Sequence, residues 1–522
     1  MPKKCLVVFI VLYCLMNMVV LGLKLPQERE GWIADIAYHW NVELTGSMAQ
    51  DIPWSALWAT GRGRGFYFIH HVFYKIFNVG LFQGRILTFL SALLLLFLVF
   101  RWTKEHVSNE SALFSTLFLM LSYSFWPFLP VVSQDIAHCL FFFMAFYSLF
   151  VALSRNKTSF FIIAGFISAL SVEISHRGIQ TVLCTYIVFF LFSKRNTFLK
   201  HMGLLLSGSL IAFVLWYCLN VFPMGIENFI QYQFFPSRTE HAPHFLKLLL
   251  NEVSRFFLYL KSQNHFATFE ISYIALFLFL FFKYKLKEKY AFISKFILCW
   301  LIVSFIIFSL LSQVDLQISQ VYMLLYIIPL CLLCGMSFHE LMLRHKKIAQ
   351  CLLGSILMIS LSYQGIRFLT YAYPLLTQGQ TLASYHDKLK SYVDLNKNII
   401  GETEYWYAFT DAQYYGGGFY LFRLMRITGE LRYSYDYPNT QESAKAMLNV
   451  LKKRQIGYLV TCTEPNYLRD MINAYFPERK LPEKNFKFID KVKHNFHWFY
   501  DQRPGPACHY NIEIYKVLSY EP

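Results

Sequence analysis

Eleven apolar blocks, each about as long as a helix crossing the ~30 Å hydrocarbon core of a bilayer, divide most of this chain. They run over residues 4–23, 84–100, 111–129, 136–153, 159–173, 177–193, 202–222, 268–282, 291–311, 321–338 and 348–370. Backbone polar groups in lipid must be satisfied within the segment itself, so blocks of this kind fold as helices. Of the 522 residues 56% are apolar and only 15% charged, which excludes a string of ordinary soluble domains. The 53 Phe and 35 Tyr exclude a disordered chain. The expected fold class is a polytopic α-helical membrane protein with about 11 transmembrane helices and a small C-terminal α/β domain outside the cytoplasm.

The formal net charge of +16 is spread along the chain rather than gathered in a patch. With Lys3 and Lys4 on the cytoplasmic side, the inner loops carry 16 Lys and Arg against 4 Asp and Glu, and the outer segments, with Glu173 and Arg177 at the block ends, carry 10 against 11. That asymmetry is the positive-inside pattern. It places the N-terminus in the cytoplasm and the C-terminal residues on the periplasmic or otherwise extracytoplasmic side. The membrane is the inner membrane if the source is bacterial and the endoplasmic reticulum if it is eukaryotic. The basic excess is thus a topology signal, the partner is the lipid bilayer, and nucleic acid is excluded as a partner. The first block starts basic but is too long for a signal peptide and lacks a small-residue cleavage site, so it reads as a retained anchor.

Two domains follow from the composition: a transmembrane domain over 1–370, with outer loops at 24–83 and 223–267, and a soluble domain over 371–522. The latter holds 19 Lys and Arg against 16 Asp and Glu. Residues 441–454 put Ala444, Met447, Leu448 and Leu451 on one helical stripe, with Asn439 or Thr440 as cap and Glu442 in the first turn. Strands are expected at 398–402, Ile456–Cys462 and 511–518. Cys462 and Cys508 are the two cysteines of this region, and the sequence leaves open whether they are bonded or remain thiols.

The chemistry concentrates in the first outer segment, where Trp32, Trp40, Trp54 and Trp58 alternate with Asp35, His39, Glu43, Asp51, Arg62, Arg64, His70, His71, Lys75 and Arg85. Trp and Tyr suit the headgroup layer, so the plain alternative for any one of these residues is an interfacial helix with snorkelling charges.

The order of parts resembles the GT-C class of integral-membrane glycosyltransferases, the superfamily of protein O-mannosyltransferases and lipid A aminoarabinose transferases. One span leads to ADIAYHW, in which Asp35 is similar to the acid of the family's D-E-A-Y segment. The run GFYFIHHVFYKIFNVGLFQGRILTFLSALL resembles the approach to the second span, ending in Arg85. WPFLPVVSQDIAHCLFFFMAF is similar to the Asp-containing entry to the fourth span, and QVYMLLYIIPL to a late span with Tyr and Pro. Ile36 stands where many relatives have a second carboxylate, so a paired-acid site does not follow.

The resemblance implies transfer of a sugar from a polyprenyl-phosphate donor to a glycan, lipid or protein acceptor on the outer face, usually with inversion. The residue types fit that chemistry. An attacking hydroxyl needs a base, and a carboxylate at a dry membrane edge is suited to the task; Asp35 is the candidate. A departing lipid phosphate gains negative charge that fixed cations stabilise, and Arg85, Lys75, Arg62 and Arg64 are the candidates, with His70 and His71 behind them. Asp51, Asp135, Glu173, His176, Arg177, Arg238 and His241 complete the set as substrate-binding residues, with a Glu173–Arg177 pair as the structural alternative. No metal-ligand motif or other cofactor signature occurs; a hard divalent cation such as Mg²⁺ or Mn²⁺ on Asp35 with Asp51 or Asp135 is a lesser alternative. Rival functions are a flippase or transporter for lipid-linked sugars, which calls for polar helices near the midplane, and a polysaccharide ligase.

Overall fold

In the computed structural model of the protein the described residues are 3–23, 30, 33–34, 37–38, 64–122, 125, 129, 131–175, 177–218, 265–284, 286–311, 320–378, 381–412, 414–416, 440–462, 468–477, 480–493 and 511–521. Among these residues the chain runs through the helices α1 (Lys3–Leu23), α2 (Arg64–Phe77), α3 (Leu81–His106), α4 (Asn109–Leu121), α5 (Gln134–Arg155), α6 (Thr158–Ile174), α7 (Gly178–Phe192), α8 (Phe198–Trp216), α9 (His265–Lys283), the short α10 (Leu286–Lys289), α11 (Ala291–Leu311), α12 (Gln320–Arg344) and α13 (Lys346–Gln378). Each of the eleven apolar blocks overlaps one of them. Among the described residues, five helical stretches are long and apolar enough to cross a membrane: Leu81–His106, Gln134–Arg155, Arg195–Trp216, Leu325–Arg344 and Lys346–Ile366. Five shorter apolar stretches accompany them.

Aromatic rings and close backbone contacts hold these helices together, as lipid supplies no hydrophobic drive between them. Trp102 of α3 meets Phe146 and Phe150 of α5 edge-on at 5.2 and 5.1 Å, and Trp300 of α11 meets Phe142 and Phe146 at 5.3 and 5.2 Å. The α6 and α8 backbones approach each other through Gly165 and Gly208: a Cβ on either would collide with a carbonyl of the opposite helix, Leu205 O or Ile162 O. Helix starts are capped locally. Ser108 Oγ accepts from Ser111 N at α4, and Ser133 Oγ accepts from Asp135 N at α5, the role short polar side chains fill at helix N-termini.

The C-terminal residues build a five-stranded sheet of β1 (Asn398–Gly401), β2 (Tyr414–Gly416), β3 (Ile456–Cys462), β4 (Phe486–Lys493) and β5 (Asn511–Val517), in the order β2-β1-β3-β5-β4. β1 runs parallel to β2 and β3, while β5 is antiparallel to β3 and β4. Helices α14 (Leu382–Lys390), α15 (Gln441–Lys453) and α16 (Leu468–Asn473) accompany it. α15 starts in a capping box of Thr440 and Ser443, with Glu442 in its first turn, and buries the expected Ala444, Met447, Leu448 and Leu451 in a core with Ile456 and Leu459 of β3. Cys462 is disulfide-bonded; Cys508 lies outside the described residues.

A second core joins the sheet to the helical bundle. Ala34, Ala37, Tyr74 and Leu81 are buried together with Tyr385, Leu389, Tyr405, Trp406, Tyr407 and Phe409. Ala34, Ala37, the end of α2 and the start of α3 therefore share packing with the 3₁₀ helix Thr403–Ala408.

The α6–α8 contact generates a test. Gly165→Ala or Gly208→Ala forces the two helices apart and is expected to destabilise the detergent-solubilised protein by about 1–3 kcal/mol, read as a lower melting temperature. Gly203→Ala, with no atom within 4 Å of its would-be Cβ, should leave the melting temperature unchanged or slightly raised.

Candidate active site

An arginine near the start of an apolar helix is unfavourable unless its charge and all its donors find partners. Arg85, in the second turn of α3, finds them in Glu30. Its Nε donates to Glu30 Oε1 and its Nη2 to Glu30 Oε2, each at 2.8 Å, while Nη1 donates to Leu21 O near the end of α1, also at 2.8 Å. Both side chains are 0% exposed. Glu30 Oε1 further accepts from Val132 N at 2.8 Å. One ion pair thus ties together the end of α1, the chain beyond it, α3 and the approach to α5.

That approach continues the polar belt. Ser133 N donates to Thr88 Oγ1, one turn along α3 from Arg85, at 3.3 Å, and Ser133 Oγ donates to Asp135 Oδ2 at 2.6 Å. Asp135 Oδ1 accepts from Arg177 Nη1 at 3.0 Å, joining α5 to the start of α7. Their side chains are 7% and 19% exposed, so Arg177 still reaches solvent where Arg85 does not. One turn deeper His138 Nε2 and Thr181 Oγ1 are 3.2 Å apart, and Gln180 Nε2 donates to Ser304 O of α11 at 3.0 Å. Glu173, at the end of α6, accepts from Gly65 N through Oε2 at 3.2 Å. A carboxylate at the first turn of α2 is favourable for the helix dipole, and it fixes α2 to the bundle.

α2 presents two apolar faces. Phe66, Tyr67, His70 and Tyr74 are buried, whereas Phe68, Ile69, Val72 and Ile76 are exposed together with Lys75. His70 donates through Nδ1 to Phe66 O at 3.0 Å. Burial lowers its pKa to about 4, and the carbonyls of Phe66 and Gly84 counter this only in part. His71 donates through Nδ1 to Ala37 O at 2.9 Å, holding the segment that follows Asp35 in the chain. Burial likewise raises the phenol pKa of Tyr74.

The structure thus sorts the expected residues. Arg85 is corrected as a phosphate ligand: Nε, Nη1 and Nη2 are all engaged by protein acceptors, and no part of the side chain is exposed. His70 is corrected too, as a buried neutral imidazole carries no charge to offer a phosphate. His71 is half-buried and bonded to the backbone. Lys75 stands exposed, and Arg64 is the first residue of α2. The Glu173–Arg177 alternative is corrected: Arg177 pairs with Asp135 and Glu173 caps α2. Asp35, Asp51, Arg62, His176, Arg238 and His241 lie outside the described residues.

Glu30 and His138 were missed by reasoning from sequence. The signal for Glu30 was the unfavourable Arg85 itself, which demanded an acid nearby. Among the described residues no three His, Cys, Asp or Glu side chains cluster as metal ligands. Asp135 is already neutralised by Arg177, so this carboxylate fits an ion pair better than a divalent cation.

Residues 64–219 match the family model described as dolichyl-phosphate-mannose-protein mannosyltransferase. No curated protein matches the chain in sequence. Among solved structures, ArnT from Cupriavidus metallidurans bound to undecaprenyl phosphate aligns over 100% of both chains, with a TM-score of 0.58 and 12% identity. The apo state of the same protein aligns over 88% of this chain and 93% of its own, with a TM-score of 0.54 and 12% identity. The resemblance read from the sequence is borne out by the family model over these residues and by a fold shared with ArnT.

Glu30→Ala leaves Arg85 buried without its partner and is expected to destabilise the protein by about 3–5 kcal/mol. Glu30→Leu combined with Arg85→Met, which removes both charges, should recover most of that loss. Melting of the solubilised single and double variants checks this, and a double variant no better than the single one contradicts it.

Proposed function

We propose that this chain is a membrane glycosyltransferase of the GT-C class, moving a sugar from a polyprenyl-phosphate donor to an acceptor at the outer face of the membrane. The observation that carries the reading is the belt of charged side chains at one end of the helices, in a fold shared over its whole length with a protein solved bound to undecaprenyl phosphate. The belt lies at helix ends rather than at mid-bundle. That suits a site fed from the bilayer and open to one side, and it disfavours a transporter, whose polar groups gather at the midplane.

In this reading the chain crosses the membrane eleven times, with residues 371–522 as a soluble domain outside. The bonded state of Cys462 supports that side, because disulfides persist in oxidising compartments. α2 lies along the interface with Phe68, Ile69, Val72 and Ile76 toward lipid, which brings Lys75 to headgroup level. Lys75, with Arg62 and Arg64, holds the donor phosphate as point charges and forks. Arg177, oriented by Asp135, supplies a further cation toward the substrate. The acceptor hydroxyl gives its proton to Asp35 as its oxygen attacks the anomeric carbon, and the polyprenyl phosphate departs with the bonding pair, inverting the centre. Donor sugar and acceptor are set by pocket details that vary independently of fold.

The test is transfer of label from radiolabelled polyprenyl-phosphate sugars to membrane-extracted acceptors by the purified protein. Asp35→Asn is expected to lower turnover by roughly 10²- to 10⁴-fold, the range for loss of a general base, with donor binding retained. Near-normal turnover in folded Asp35→Asn removes Asp35 as the base. No transfer from any donor by the unaltered protein removes the reading.

A further inference from the structure

The segment that carries Asp35 is bounded by described residues, and each boundary is held from a different side. Glu30 is locked by Arg85 and by Val132 N. Ala34 and Ala37 are buried, and Ala37 O accepts from His71. The third hold comes from the far end of the chain. The ring of Tyr38 meets Trp406 edge-on with centroids 5.8 Å apart. Beside it the hydroxyls of Tyr74 and Tyr407, both buried, lie 3.3 Å apart, longer than the usual O–H···O range of about 2.5–3.0 Å.

Gly84 makes room for that pair. A Cβ there would stand 2.5 Å from Tyr74 Oη, 2.9 Å from Val132 Cγ2 and 3.2 Å from Tyr407 Oη. The residue next to Gly84 is Arg85, so the tyrosine pair and the buried ion pair share one turn of α3.

Trp406 and Tyr407 are themselves placed by the sheet. They sit in the 3₁₀ helix Thr403–Ala408, which follows directly on Glu402 at the end of β1. Glu402 N donates to Val460 O at 3.1 Å. Its buried carboxylate Oε1 accepts from Thr461 Oγ1 at 3.1 Å and from Leu468 N at 2.8 Å. Its carbonyl accepts from Tyr414 Oη at 2.5 Å and from Tyr405 N at 3.1 Å. Strands β1, β2 and β3 and helix α16 therefore all fix the residue from which the 3₁₀ helix starts. A mount with this many partners is preorganised, as functional sites require.

We propose that the C-terminal sheet is a working part of the transferase site, with Trp406 and Tyr407 as positioning residues that hold Ala37, Tyr38 and α2 through the ring of Tyr38 and the hydroxyl of Tyr74. The inference rests on the glycosyltransferase reading above for its catalytic consequence, but the hold itself is testable without turnover.

The experiment uses the full-length protein in detergent or nanodiscs, with variants Tyr407→Phe, Trp406→Leu and, as control, Tyr520→Phe. The control removes a hydroxyl whose bond, to Ile456 O at 2.7 Å, lies within the C-terminal unit. Two quantities are read: amide hydrogen exchange over residues 33–38, and the kcat and KM of label transfer. Tyr407→Phe keeps the ring and its packing, so the melting temperature should stay near that of the unaltered protein. Exchange over 33–38 is expected to rise several-fold in Tyr407→Phe and more in Trp406→Leu, with kcat lowered about tenfold and donor KM unchanged, and with neither quantity altered in Tyr520→Phe. Adding Tyr74→Phe to Tyr407→Phe should cause little further loss, because the two hydroxyls act as one unit. Exchange unchanged in folded Tyr407→Phe and Trp406→Leu overturns the proposal, as does raised exchange with unchanged kcat. Raised exchange in a protein whose unaltered form transfers no sugar upholds the hold and instead removes the glycosyltransferase reading.

Discussion

The buried pair of Glu30 and Arg85 is the interaction on which this end of the molecule depends. Neither charge is exposed, and the arginine spends its fork on the carboxylate while its remaining nitrogen reaches the carbonyl of Leu21. An isolated charge in such a place is highly unfavourable. The pair tolerates burial because the geometry is bidentate and the carboxylate gains a further donor from Val132 N. From it the remaining contacts follow in chain order: Val132 leads to Ser133, Ser133 to Asp135, and Asp135 to Arg177. A hydrophobic pair of similar volume would hold the helices as firmly, but would not fix the direction in which residues 132–135 present their polar atoms.

Charge at this end falls into two kinds. Glu30, Arg85 and the neutral His70 are sealed and serve architecture. Lys75 is exposed, and Arg177, paired with Asp135, is partly so. That division matters for the proposed reaction, whose leaving group is a lipid phosphate, because a cation saturated by protein cannot follow charge that develops on a substrate. It also gives the C-terminal sheet a reason to be attached. Its 3₁₀ helix is packed against Tyr74 of α2 and against Ala34 and Ala37.

Much of the architecture was legible in the sequence because it depends on local periodicity and composition. The apolar blocks fall on helices. Ile456–Cys462 is a strand with the expected bounds, and α15 begins at its capping box because Thr440 and Ser443 satisfy each other's backbone donors. β4 escaped notice because FKFIDKVK places Lys, Asp and exposed Phe488 on an edge strand, where the alternation of a half-buried strand is blurred. The site was legible only as a list of residue types. Arg85 was read as a cation for the donor phosphate, because its partner Glu30 lies 55 residues away in the chain and no periodicity links the two. For the same reason Glu173 and Arg177, four apart in sequence, looked like partners when each is taken by a group from another helix.

The claim that Arg85 serves architecture and leaves phosphate recognition to the exposed cations is tested most directly by titrating purified Arg85→Lys with a polyprenyl phosphate while following its melting temperature. Lysine keeps the charge but loses the fork. The account predicts a clearly lower melting temperature with affinity within about twofold of the unaltered protein. An affinity reduced tenfold or more, about 1.4 kcal/mol, at an unchanged melting temperature would contradict it and return Arg85 to the donor site.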